Sequence, residues 1–454
     1  MAGGPNDGGR IWAQELENYE NTYGAHPSIW ATVDLPGDIG KGIVADLSKF
    51  SSDPLYEAMS PSIMDMMNYY GFQGGLPQYI LPWGIYVNKE LAEQQNLDVP
   101  DPDWDIDDYT DFIQNSEEDE YYGSMDSPIH LIETGSGDIH KSLFEYNGGD
   151  EYVALDSDEV KDLIGYLEEW DEHSAWNGAS EQFHGDHWYW PYKYFLENKL
   201  LTLEGDPWMM GDCAIGNTEE NPWPMGCKSQ DWDIYPRPST DYEDNTVGIV
   251  LDPMSVYNFC IADGDIACSE EEELQIKVNY TFASFWIADS KSWEARANGN
   301  FTDLGNEGVE SSSLNDSFPV TSGELFDEQM NIWYTPDKHV RFADTSKMPG
   351  FAEVLRIYKE GQFWDVSDKA FPYFYSDAGT RREDLYEWKN YWNPDVNGGV
   401  EKSDANFTDT ILANLATWNE LANERFAISF GELEYGLKTY YGYTEEDFAG
   451  SEEE

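Results

Sequence analysis

The chain has 454 residues, enough for two or three lobes with buried cores. Its 25 Lys and Arg stand against 90 Asp and Glu, a formal net charge of −65, which excludes a nucleic-acid partner and attraction to anionic lipid, since both require a basic footprint. Disorder is excluded as well: disordered acidic chains are poor in aromatics, whereas this one carries 18 Trp, 30 Tyr and 21 Phe.

Trp12, Leu16, Tyr19 and Tyr23 recur at helical spacing with Gly24 as a left-handed cap, so the chain opens on a helix. Ser28–Val33 reads as a short buried strand ending at Asp34. Gly71–Val87 carries strand-like apolar runs that Pro77 and Pro82 are expected to interrupt. Asp156, with Glu159 three places on, is expected to cap a helix whose apolar face is Val160, Leu163, Ile164, Leu167 and Trp170. Helices at Lys193–Asn198 and Glu270–Ile287, with strands at Leu200–Leu203 and Thr246–Leu251 between them, continue the alternation and give an α/β class. Phe351, Val354, Leu355 and Tyr358, closed by Gly361, mark another helix, and Phe407–Tyr440 reads as wholly helical.

Acids spread over a folded chain repel one another, a cost that proteins of concentrated salt carry in exchange for solubility, so a salt-loving source is expected. No apolar run is long enough to span a membrane, and the opening residues lack a signal-peptide core. Cys213 with Cys227 and Cys260 with Cys268 are close pairs that suit two local disulfides better than one metal site, with buried free thiols as the remaining reading. Sequons at Asn279, Asn300, Asn315 and Asn406 are glycosylation candidates and, with the cysteines, favour export.

Several stretches in one order carry a resemblance. They are Pro27-Ser28-Ile29-Trp30, then Gly42–Leu47, then Gly75-Leu76-Pro77 through Pro82–Leu91, then Asn147-Gly148-Gly149 leading to Leu155-Asp156-Ser157, and Tyr194–Lys199 leading to Gly205-Asp206-Pro207-Trp208. As an ordered set from residue 27 to about 360 they resemble the extracellular solute-binding proteins of carbohydrate ABC importers, the group related to maltodextrin- and multiple-sugar-binding proteins. The resemblance implies a two-lobed, periplasmic-binding-protein-like α/β fold whose hinge is crossed more than once, with a mostly helical C-terminal extension. It implies a first lobe of residues 1–82 and 254–318 and a second of 83–253 and 319–454. Members usually begin with a strand, a helix and a second strand that this chain has no room for, so a truncated start is expected. That would also account for the missing export signal and surface anchor.

The function implied is capture of a sugar or oligosaccharide between the lobes and delivery to the permease, outside the cell, by a monomer with no cofactor or metal. Sugars present apolar ring faces to aromatic side chains and hydroxyls to planar polar groups. Trp83, at the crossing after Pro82, and Trp208, beside Asp206, match positions that face the crevice in the family. Tyr79, Trp188, Trp190 and Trp223 lie beside Pro or Gly and are further carbohydrate-binding candidates. Tyr257 follows a second crossing at Asp252-Pro253-Met254, and Asp34 ends a strand where relatives present a polar group. Core packing is the competing account of each Trp, and one carboxylate among 90 is weak evidence alone.

His184-Gly185-Asp186-His187 has two imidazoles three apart, which a surface loop explains as well as a metal does. No G-x-S-x-G elbow or phosphate loop is present, and nothing demands an enzyme. The alternatives are a secreted glycoside hydrolase, which needs a carboxylate pair, and a structural or adhesive surface glycoprotein.

Overall fold

The computed structural model describes residues 18–32, 34–116, 120–124, 131, 154, 156–175, 194–205, 231–260, 268–298, 317–335, 339–365 and 407–449. Residues 18–23 are helical and end on Gly24 at φ +68°, the expected left-handed cap. Then come β1 (Ile29–Ala31), α1 (Leu35–Gly40), α2 (Pro54–Ala58), α3 (Pro61–Asp65), β2 (Asn68–Tyr69), β3 (Phe72–Gln73), β4 (Leu76–Val87), α4 (Lys89–Gln95), α5 (Ile106–Ile113), α6 (Asp158–Ile164) and α7 (Leu167–Glu172). After these follow β5 (Thr202–Gly205), β6 (Asp233–Tyr235), β7 (Val247–Val256), α8 (Glu270–Ala288), α9 (Ser290–Asn298), α10 (Gly323–Trp333), α11 (Pro349–Glu360), β8 (Phe363–Asp365), α12 (Phe407–Tyr441) and α13 (Glu445–Ala449).

The central sheet is ordered β1-β7-β4-β5, with β6 also paired to β4 and β8 running parallel to β7. Its spine is the antiparallel pair of β4 and β7. Pro77 and Pro82 do not interrupt β4. Pro77 stands opposite Pro253, so neither strand asks the other for an N–H there, and the register shifts between Pro77 and Tyr79, where a bulge absorbs the irregularity. Along β7 the odd residues Val247, Ile249 and Leu251 are fully buried, while Val250 and Asp252 on the opposite face are half-buried.

β4 changes partners along its length. Residues 76–83 pair with β7, and from Gly84 onward the strand pairs with β5 and, from Ile85, with β6. The handover falls between Trp83, opposite Gly248, and Gly84, opposite Gly205.

Local signals explain the helices around this sheet. Ser269 and Glu272 form a reciprocal capping box at the start of α8, and Gly361 closes α11 at φ +79°. Asp156 is not the cap of α6. Ser157 takes that role, accepting the Val160 N–H at 3.2 Å, because a residue directly before the first turn is the one whose oxygen reaches N3. The expected helix is also two, α6 and α7, separated at Gly165-Tyr166, with all five expected apolar residues buried.

The 35 residues of α12 give it a length of roughly 50 Å. Its start lies near α6 and α7, where Thr408 donates to Glu168, and its end packs on α1. There Leu433 and Leu437 are buried, each contributing about 1.5–3 kcal/mol, and the Tyr441 hydroxyl donates to the Val44 carbonyl at 2.7 Å.

The cysteine pair Cys260–Cys268 is a disulfide with its Cα atoms 4.8 Å apart. Cys213 and Cys227 lie outside the described residues. Among the described residues, no helix is long and apolar enough to cross a membrane.

Candidate functional site

The half-open face of the β4–β7 ribbon gathers the site. Register alone puts Trp83 beside Gly248 and Ile85 beside both Glu204 and Tyr235, and an isolated bridge sets Arg237 opposite Thr246. Strict alternation then brings Trp83, Gly248, Glu204, Arg237 and Thr246 to one side of the sheet. Contact geometry agrees: a Cβ built on Gly248 would stand 2.9 Å from the Arg237 guanidinium carbon and 3.1 Å from the Trp83 Cβ. Glycine is required at 248 because the Trp83 Cβ and the Arg237 guanidinium already crowd that space.

Arg237 is buried and ion-paired to Glu204, which keeps an edge open to solvent. A buried pair gains little net stability, because desolvation offsets most of the attraction, but it fixes a charged, hydrogen-bonding wall on the sheet face that carries Trp83. Three buried polar atoms on these strands and at their ends have no hydrogen-bond partner among the described residues: Nε1 of Trp83, Oγ1 of Thr246 and Oε1 of Gln362, whose backbone carbonyl accepts from Val247 N–H. Each such atom costs about 1–3 kcal/mol until something satisfies it. An aromatic face edged by unmet donors and acceptors suits a polyhydroxylated ring.

The expected site residues do not all meet here. Tyr79 sits on the same ribbon, opposite Asp252. Tyr257 does not: it lies nine residues along the chain from Gly248, about 30 Å at strand spacing, stacked on His26 at 5.0 Å and edge-on to Phe259 at 5.2 Å. Asp34 caps α1, accepting the Gly37 N–H at 3.1 Å, beside a buried hydrogen bond from Thr32 to Asp38. Asp206 and Trp208 lie outside the described residues, and the last described residue before them, Gly205, is the partner of Gly84. Trp188, Trp190 and Trp223 also lie outside, as do the His184–His187 stretch and sequons Asn300, Asn315 and Asn406. Asn279 is on α8, where its side-chain amide donates to the Gln275 carbonyl at 2.8 Å.

Arg237, Glu204, Thr246 and Gln362 were not among the sequence candidates. Only the pairing of β4, β5, β6 and β7, distant in sequence, brings Arg237, Glu204 and Thr246 to the face of Trp83, and the pairing of β8 with β7 sets Gln362 at its edge. The one cluster of possible metal ligands among the described residues is Cys260, Cys268 and Glu273, and the disulfide consumes both thiolates.

Compared with family models the chain matches none, and no curated protein matches it. Solved structures do. An ABC substrate-binding protein from Listeria monocytogenes, in complex with cycloalternan, is 14% identical with a TM-score of 0.53, over 95% of this chain and 90% of that one. A sugar transporter from Rhizobium etli in an open conformation is 13% identical with a TM-score of 0.54, over 92% and 90%. A chitin oligosaccharide binding protein is 14% identical with a TM-score of 0.53, over 93% and 90%. These likenesses show the fold: the chain has the two-lobed α/β architecture of solute-binding proteins.

Proposed function

We propose that the protein is the carbohydrate-binding receptor of an ABC importer, capturing a sugar or oligosaccharide between two lobes outside the cell and handing it unaltered to a membrane permease. The observation that carries this reading is the half-open aromatic face at Trp83, walled by Glu204 and Arg237 and edged by the unsatisfied Trp83 Nε1 and Thr246 Oγ1. The fold supports it, since solved structures of the same architecture include proteins described as bound to cycloalternan or as binding chitin oligosaccharide.

The hinge is read at the partner change of β4. We read residues 1–82 with 254–318 as one lobe and 83–253 with 319–454 as the other, except that α10, the end of α12 and α13 lie against the first, making α12 a connection between the two. Asp206 and Trp208, directly after Gly205, extend the site from the second lobe. Ligand that contacts both lobes only in the closed form shifts the population toward closure, and the closed form is what the permease reads. No cofactor, metal or covalent step is needed. Concentrated salt and an extracellular surface location are the setting this charge and the disulfide fit.

A thermal-shift panel of malto-, chito- and raffinose-type oligosaccharides in molar salt tests the reading. Ligand at a hundred times its dissociation constant adds about 2.7 kcal/mol of stability, several degrees of melting temperature. Release of free monosaccharide from any of them would instead identify a hydrolase.

A further inference from the structure

We infer that Arg296 anchors a binding site for a small monovalent anion, chloride where the salt is sodium chloride, at the corner between α8 and α9. Arg296 lies in the last turn of α9 and is only 6% exposed. Arg237, Arg341 and Arg356 each sit against a carboxylate, whereas Arg296 has no ion pair among the described residues. Acids are not scarce in a chain that carries 90 of them. Those that precede Arg296 are engaged elsewhere: Asp289 accepts the Lys291 N–H at 2.8 Å, and Glu294 is exposed. Burial lowers the guanidinium's pKa to about 10, so it keeps its charge at neutral pH.

A buried cation persists only where something compensates it. Part of the compensation is visible. The guanidinium carbon lies 5.2 Å from the Trp286 ring centre and 5.1 Å from that of Trp293, and Nη2 donates at 3.1 Å to the carbonyl of Ile287, in the last turn of α8, where a helix leaves its carbonyls unpaired. Neither contact reaches Nε, a buried donor with no acceptor among the described residues. The surroundings are fixed: Ser292 donates to the Trp286 carbonyl at 2.8 Å, Trp293 Nε1 to the Gln329 carbonyl at 2.9 Å, and Gln329 Nε2 to the Ala288 carbonyl at 3.0 Å, which ties α8, α9 and α10 into one corner. A water at Nε would satisfy the donor and leave the charge, whereas an anion does both. One positive charge in a chain of −65 suits a single negative charge, and the enclosure suits an ion without bulk. In molar sodium chloride the anion in supply is chloride.

Diffraction from crystals of the full chain in sodium bromide, measured at the bromine absorption edge, tests this. The expected result is an anomalous peak against Nε of Arg296 that is missing in Arg296→Met. In solution, melting temperatures are followed as chloride replaces gluconate at constant sodium. The wild type is expected to gain about 1–3 °C, saturating, when chloride reaches about ten times its dissociation constant. Arg296→Met loses that gain, and Arg356→Met, at an exposed arginine, keeps it. Arg296→Lys, which retains the charge without the planar fork and serves also if Arg296→Met does not fold, is expected to need at least fivefold more chloride for half the gain. No bromide at Arg296 in the wild type overturns the proposal. So does a chloride gain equal in the wild type and the Arg296 variants, which would make a bound halide an adventitious ion only.

Discussion

Trp83 and Gly248 face one another across the β4–β7 ladder, and the absence of a side chain at 248 leaves the space into which the Arg237 guanidinium and the Trp83 Cβ both reach. Arg237 is held by Glu204 and buried, so it has no room to retreat. Gly248→Ala is accordingly expected to cost about 1–3 kcal/mol of stability by overpacking and to weaken sugar binding at least tenfold by displacing the ring. Denaturant midpoints at fixed salt and a ligand titration of the variant check the two effects separately.

Gly40 and Gly436 are a second close approach. A Cβ on Gly436 would be driven into the Gly40 backbone, and one on Gly40 would sit 3.4 Å from the Glu432 carbonyl oxygen. The two glycines let α1 and the end of α12 touch backbone to backbone. Gly436→Ala is expected to lower stability by about 1–3 kcal/mol and to loosen the end of α12, read as faster hydrogen exchange at Leu433 and Leu437. Gly431, whose Cβ would meet nothing, is the control: Gly431→Ala, in a helix interior, is expected to be neutral or stabilising.

Asp233 is fully buried at the start of α11, accepting the N–H groups of Gly350 and Phe351 at 2.9 and 3.1 Å. Burial pushes its carboxyl up to about 6, with those N–H groups and Lys89 pulling the other way. A folded-state value above the ordinary 3.8 means that the native state holds the proton more tightly than the unfolded chain. The contribution is therefore complete below about pH 4 and is lost as pH rises through 6, a fall of about 2–3 kcal/mol. Unfolding free energies at pH 4, 5, 6 and 7 in constant molar salt should show this slope in the wild type and not in Asp233→Asn. A difference between the two proteins that stays flat across the range would contradict it.

Cys260 and Cys268 close a short loop directly before α8. Loop-closure entropy assigns such a link about 2–3 kcal/mol. Reduction at constant salt is expected to lower the denaturant midpoint by that amount, and an unshifted midpoint would show that the link contributes nothing.

The local elements of the fold are legible in the amino-acid sequence. The spacing Phe351, Val354, Tyr358 with Gly361 gave α11, and the run from Phe407 gave α12, since helical periodicity and a left-handed cap are local properties. Continuity of β4 was not legible, because tolerance of Pro77 depends on Pro253, far away in sequence. The contact of Gly40 with Gly436 was hidden for the same reason. At the site, Trp83 stood out through its place between Pro82 and Gly84, whereas Glu204 was one acid among 90 and became distinct only through its pairing with Arg237. Tyr257 carried the same aromatic signal as Trp83, but the length of β7 puts it at the other end of the sheet.

Isothermal titration of oligosaccharides into the intact protein in concentrated salt, with recovery and analysis of the sugar afterwards, bears most directly on capture without chemistry. The account predicts saturable binding of one oligosaccharide per chain, weakened at least tenfold by Trp83→Ala, with the sugar recovered whole. No heat from any member of the panel, or recovery of shortened products, would contradict it.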